Sequence, residues 1–225
     1  MINQIQAREE GVLPLAVHEL RTPVTVVAGY IRMLLREHAG PLTDKQRKML
    51  EEADRSCSRI DALVSEMSEF GKLESRKLGL ARMSFDLAAL VTETAAGMGD
   101  ESRGVQVEAR GADRQVMVTG DRVRIATAVR ALIHATVRER IEPGVVVAEC
   151  SIVSTWGVVA VGDDALLPAL VRSAGDAPPG FDEWRGGMGL SLPVGKRVVE
   201  SQGGAVWSIG DGPQRASGLR LPLVP

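Results

Sequence analysis

Apolar residues at Leu13, Val17, Leu20, Val24, Val27, Ile31 and Leu34 alternate in steps of four and three. That is the a/d seam of a coiled-coil-like helix. Gly40-Pro41 ends the run, and Thr43 with Gln46 three residues on reads as a capping box that opens a second helix. The spacing recurs at Leu50, Ala53, Cys57, Ile60, Val64 and Met67, widened by Met49, Leu63 and Phe70. The pattern predicts two long antiparallel helices. A lone pair cannot bury stripes this wide, so two copies are expected to combine through residues 10–73 into the four-helix bundle of a homodimer.

After about residue 80 the period changes. A helix is expected over 85–98, capped near Ser84 or Asp86, and a second over 121–138. Between and after them fall β-rich runs at 105–109, 115–119, 145–153 and 157–161. A breaker-rich loop at 175–180 precedes a helix over 189–201 and strands at 205–209 and 218–221. Strand and helix are mixed, so the expected fold is α+β: a helical hairpin over 1–76, then a separate α/β sandwich over 77–225.

Composition adds little to this picture and removes several alternatives. The 225 residues are 44% hydrophobic and 25% charged, enough for one or two real cores. A net charge of -2 motivates neither nucleic acid nor membrane surface as a partner. Cys57 and Cys150 lie far apart within apolar patterns, so buried thiols in a reducing cytoplasm are expected, with no metal cluster. No apolar run approaches the roughly 18 residues that span a bilayer. The polar start Met1-Ile2-Asn3-Gln4 does not read as a signal peptide, and no sensor segment is recognisable before residue 10.

Candidate chemistry concentrates at His18-Glu19-Leu20-Arg21-Thr22-Pro23. At about 100° per residue His18 points away from the core expected of Val17 and Leu20. Thr22 lies one turn on along the same face, and the adjacent Glu19 could orient the imidazole or take its proton. Pro23 removes the backbone bond to the Glu19 carbonyl, a defect of about 3 kcal/mol in an ordinary helix interior. His38 suits the negative end of the helix dipole, and His134, in an apolar helical run, is expected to be packed.

The stretch Leu15-Ala16-Val17-His18-Glu19-Leu20-Arg21-Thr22-Pro23-Val24 resembles the H-box of sensor histidine kinases. The hairpin through about residue 74 is similar to their dimerisation and histidine-phosphotransfer domain. By that resemblance His18 is the phosphoryl acceptor, Glu19 its acid/base partner, and Thr22 the residue that positions water for dephosphorylating a response-regulator receiver domain. Gly186-Gly187-Met188-Gly189-Leu190-Ser191-Leu192-Pro193 resembles the family's second glycine box, and Phe181-Asp182-Glu183-Trp184 its aromatic box. The implied second domain is of the GHKL (Bergerat) ATPase type.

Two boxes depart from that pattern. Asp121-Arg122-Val123-Arg124-Ile125 sets the register of the family's N-box helix, which puts Ala131 and Ala135 where the family has asparagines. The second asparagine holds magnesium, and alanine has no oxygen for the purpose. Arg138 matches a basic residue of the box and is either a phosphate contact or a solvated arginine. The adenine-reading aspartate falls at Gly162 in one register or at Asp163 in the other, and either register loses both glycines of its box.

Gly187, Gly189, Leu190, Arg138 and Asp163 are therefore expected to outline a vestigial ATP site. Phosphoryl exchange between His18 and a response regulator, with no required cofactor, is the favoured expectation. An active Mg-ATP-dependent autokinase and a non-enzymatic scaffold are the alternatives.

Overall fold

The computed structural model describes residues 2–74, 81–175, 178–185 and 189–224, of which the side chains of 2–14 and 72–74 are left aside. The chain divides into two compact units, 1–78 and 79–225.

The first unit is a hairpin of α1 (Ile2–Leu35) and α2 (Asp44–Glu74). The turn is built as its residues dictate. Glu37 and Gly40 take positive φ of 60° and 113°. The Thr43 N–H donates to Gln46 Oε1 at 2.9 Å, and the Gln46 N–H donates back to Thr43 Oγ1 at 3.3 Å, a reciprocal capping box. Arg32 bonds Asp54 at 3.1 Å across the two helices.

The seam differs from the heptad expectation. Val17, Ala28, Ile31, Cys57 and Val64 are buried and Leu35 is half-buried, while Leu20, Val27 and Leu34 remain 45%, 50% and 37% exposed. Leu13 lies outside the described side chains. One hairpin closes on one ridge of a stripe too wide for it, and on α1 the flank carrying Leu20, Val27 and Leu34 stays uncovered.

The second unit contains a five-stranded sheet in the order β2 (Val105–Arg110), β4 (Gly144–Val153), β5 (Trp156–Gly162), β7 (Ala216–Pro222), β6 (Ala205–Ile209). β2 and β4 are parallel and the other pairs antiparallel. A small ribbon pairs β1 (Met83–Asp86) with β3 (Met117–Gly120). Helices α3 (Leu87–Ala95), α4 (Arg122–Glu139), α5 (Leu167–Arg172) and α6 (Ser191–Glu200) complete the unit.

Val158 to Val161 of β5 are fully buried, as a strand covered on both faces requires. Val158, Ala160 and Trp207 pack with Leu167, Leu170 and Ala174 of the α5 side. Leu219 and Val206 on the other face meet Ala128 and Leu132 of α4 and Leu192 and Gly195 of α6. α4 and α6 approach closely there: a Cβ on Gly195 would stand 3.2 Å from the Ala128 Cβ.

Asp86 caps α3 by accepting from the Ala88 N–H at 3.0 Å, and Phe85 and Asp86, expected to open the helix, instead end β1. α5 was not anticipated. Leu167-Pro168-Ala169-Leu170 is too short a run for helical periodicity to show, yet Leu167 and Leu170 are buried on one face.

Candidate functional site

His18 sits in mid-α1 beside buried Val17 and is exposed, with Glu19 and Thr22 exposed around it. The helix runs through Pro23 without interruption, and Thr25 Oγ1 donates to the Arg21 carbonyl at 2.9 Å just beyond it. The imidazole is thus carried on continuous helix and open to solvent. An exposed neutral imidazole is a nucleophile, and the neighbouring carboxylate can accept the proton it releases.

The second candidate region lies on the α4 face of the sheet. Asp121 caps α4, accepting from the Arg124 N–H at 3.2 Å and the Ala81 N–H at 3.3 Å, and pairs with the Arg124 guanidinium. Burial pushes its carboxyl upward, but these donors outweigh that and hold it below the usual carboxylate range. Its own N–H donates to Gln202 Oε1 at 2.6 Å, and Gln202 donates to the Val198 carbonyl of α6 at 3.0 Å, tying α4 to α6.

Ala131 and Ala135 are 4% and 0% exposed, so both positions belong to packed core. His134 between them is exposed, contrary to its expected packing. Three consecutive helical positions span about 200°, so neighbours of a buried alanine readily face solvent. Partial burial, with Arg130 and Arg138 nearby, lowers the proton affinity of His134.

Arg138 is exposed near the C-terminal end of α4. Asp163 follows β5 and is ion-paired with Arg140, which also donates to the Glu142 carbonyl at 3.1 Å. Gly162 ends β5 with its Cα facing Ala216, where a Cβ would stand 2.5 Å from the Ala216 Cβ. Gly189 has a left-handed φ of 64° and Leu190 leads into α6. Gly187, with Gly186 and Met188, lies outside the described residues.

The region also holds groups that sequence reasoning missed. Arg185, immediately after Phe181-Asp182-Glu183-Trp184, is 5% exposed. Its guanidinium pairs with Glu139 at the end of α4 and donates to Ser217 Oγ of β7 at 2.7 Å, and Ser217 Oγ lies 2.8 Å from Ser208 Oγ of β6. Arg215 reaches Glu139 at 3.6 Å and Asp182 at 3.4 Å. Lys196 of α6 pairs with Glu183 at 2.8 Å. The only sequence signal was a charged residue beside an aromatic pair, and its partners stand 46 and 32 positions away.

Among the described residues no cluster of His, Cys, Asp and Glu could hold a metal, and no helix is long and apolar enough to cross a membrane.

A helical hairpin that presents an exposed histidine, followed in the chain by a mixed sheet with helices on it, is the α+β arrangement the sequence predicts. Comparison with known proteins makes the class specific. Residues 12–76 match the His Kinase A (phospho-acceptor) domain family. The chain is 25% identical over 224 residues to the sensor protein GacS of Pseudomonas syringae pv. syringae, covering 91% of this chain and 24% of that protein. In structure it is similar to full-length ShkA in complex with AMPPNP, with TM-score 0.73, 22% identity, and coverage of 94% of this chain and 45% of that one. It is also similar to histidine kinase ThkA in complex with response regulator protein TrrA, with TM-score 0.60, 19% identity, and coverage of 99% and 64%. The hairpin thus matches a His Kinase A (phospho-acceptor) domain, and the chain as a whole is similar in sequence and fold to sensor histidine kinases. It spans about a quarter of the length of GacS.

Proposed function

We propose that His18 carries a phosphoryl group exchanged with the aspartate of a response-regulator receiver domain, and that the C-terminal unit does not bind Mg-ATP productively. In the exchange an imidazole nitrogen attacks phosphorus of the aspartyl phosphate; the new P–N bond forms as the P–O bond breaks, and the imidazole proton passes to Glu19. Thr22, one turn from His18, orients the water that instead releases phosphate from the regulator. A second copy covers the flank of Leu20, Val27 and Leu34, making a homodimer that works in the cytoplasm.

The observation that carries this reading is the contrast between an exposed His18 and a wholly buried Ala135 at the magnesium position. An Mg²⁺ bridging phosphates needs hard oxygen ligands. A methyl group in packed core offers none.

The test uses two phosphoryl sources. The full chain is incubated with labelled Mg-ATP and, separately, with a labelled phospho-regulator. Label reaching His18 only from the regulator, and lost in H18A, is the expected result; stoichiometric label from Mg-ATP overturns it. Failure of both sources to label His18, together with unaltered regulator dephosphorylation in H18A, leaves a scaffold.

A further inference from the structure

β2 ends at Arg110, which stands in register with Glu149, while β4 runs on to Val153. The chain leaves the sheet at Gly111, where a φ of 87° turns it aside and the backbone presses on the Cys150 carbonyl; a Cβ there would stand 1.9 Å from that oxygen. It is anchored again at Val116, whose N–H donates to Asp86 Oδ1 at 3.0 Å and whose carbonyl accepts from the Leu87 N–H at 2.8 Å. The loop between is thus fixed at both ends and stands off the β4 edge. A cavity of about 340 Å³ remains between it and residues 149–152, within the roughly 300–1,000 Å³ of small-molecule sites.

Charge around this cavity is unbalanced. Its wall carries two cations, Arg110 and Arg114, and two carboxylates, Asp113 and Glu149. The Arg110 guanidinium is turned away from Glu149: it bonds Glu108 at 2.8 Å and also Asp164. Arg114 is largely exposed and reaches Asp113 only at 3.9 Å. Glu149 has no ion pair among the described residues. With Asp86 bonded to the Val116 N–H, Arg110 and Arg114 meet the carboxylates of Asp86, Glu108, Asp113, Glu149 and Asp164. The Cys150 thiol registers the excess, since burial raises its proton affinity most and Asp86 and Glu149 raise it further.

We propose that this cavity binds a small organic cation, an amine or guanidinium compound of amino-acid size, with its charge on Glu149 and its methylene chain along Val116 and Ile152. An anion would have to displace Glu108 or Asp164 from Arg110, whereas a cation meets in Glu149 a carboxylate that no guanidinium holds. The site lies wholly within residues 79–225 and does not rest on the phosphotransfer reading.

Proton–nitrogen correlation spectra of the full chain at low salt test the site, with agmatine and cadaverine as probes, succinate as the anionic control and a capped lysine dipeptide as the peptide control. The amines should shift resonances of 110–116 and 149–152, with Kd of about 1 mM or tighter. E149Q keeps the shape and removes the charge, and should weaken agmatine about tenfold or more. R114Q removes an exposed repelling cation and should tighten it about two- to fivefold. Should E149Q fail to fold, R114Q decides. Amine shifts absent from these residues, succinate binding as tightly as agmatine, unchanged affinity in E149Q, or no gain in R114Q would each overturn the proposal. A dipeptide that binds about tenfold more tightly than agmatine would make the occupant a peptide and overturn it too.

Discussion

Substituting Ala135→Asn would restore the family's magnesium-binding residue type, and the structure makes its cost calculable. The Ala135 side chain is 0% exposed. An asparagine there brings an amide with two donors and an acceptor into packed core, and leaving it unpaired costs roughly 1–3 kcal/mol. The added atoms overpack the site at about 1–3 kcal/mol more. A total of about 2–6 kcal/mol is a large share of the roughly 5–15 kcal/mol that stabilises a domain. At about 2–4 °C per kcal/mol for a unit of this size, the transition should fall by roughly 5–20 °C. Tryptophan fluorescence is the natural assay, because Trp156, Trp184 and Trp207 all lie in 79–225 and report on this unit alone. A135N should also fail to gain Mg-ATP binding by calorimetry. A variant that melts within a degree or two of wild type, or that binds Mg-ATP, would refute the reasoning, because either result needs open space at the alanine.

Three further outcomes follow from other parts of the molecule. L20E or V27E should shift the chain from dimer to monomer in sedimentation velocity while leaving the helical circular dichroism largely intact, since both side chains are about half exposed within one hairpin. Asp121 is held below the usual carboxylate range, so its contribution is present above the unfolded-state value near 4 and is lost as pH falls through the lower folded value. D121N should remove that acid limb from the pH dependence of fluorescence-detected melting and lower stability at pH 7 by about 1–3 kcal/mol. Burial pushes the Cys150 thiol up to about 12 from an ordinary 9. It should therefore stay unreactive to thiol reagents at pH 8 until the unit unfolds, and stability should decline as pH rises from about 9 toward 12, a decline that C150A abolishes.

The elements most legible in the sequence were those with long, strongly periodic patterns. α1, α2 and α4 each carry enough turns for the apolar period to repeat, and the capping box at Thr43 and Gln46 appears with the bonds its spacing implies. β4, β5 and β6 were likewise visible as β-rich runs. α5 was not, because six residues give too few turns for a period, and neither was β1, whose four residues pair with β3 across a long separation. The histidine region was legible because its chemistry is local: His18, Glu19 and Thr22 lie within five residues on one helix.

By itself the sequence determined that a histidine stands beside a glutamate and one turn from a threonine on a single helix, and that alanines stand at 131 and 135 where the family it resembles has asparagines, since both are matters of residue identity at fixed helical spacing. Only the tertiary structure decided where the long charged side chains go. Glu139, Arg185 and Arg215 read along the chain as ordinary solvated charges, and nothing local distinguishes them. Folding brings α4, β7 and the 178–185 segment together, and desolvation there leaves each charge dependent on a partner that lies far away in sequence. The same distinction governs the hairpin. Heptad spacing drew a seam, but the packing of one helix on another chose Val17, Ala28 and Ile31 for the inside and left Leu20, Val27 and Leu34 uncovered.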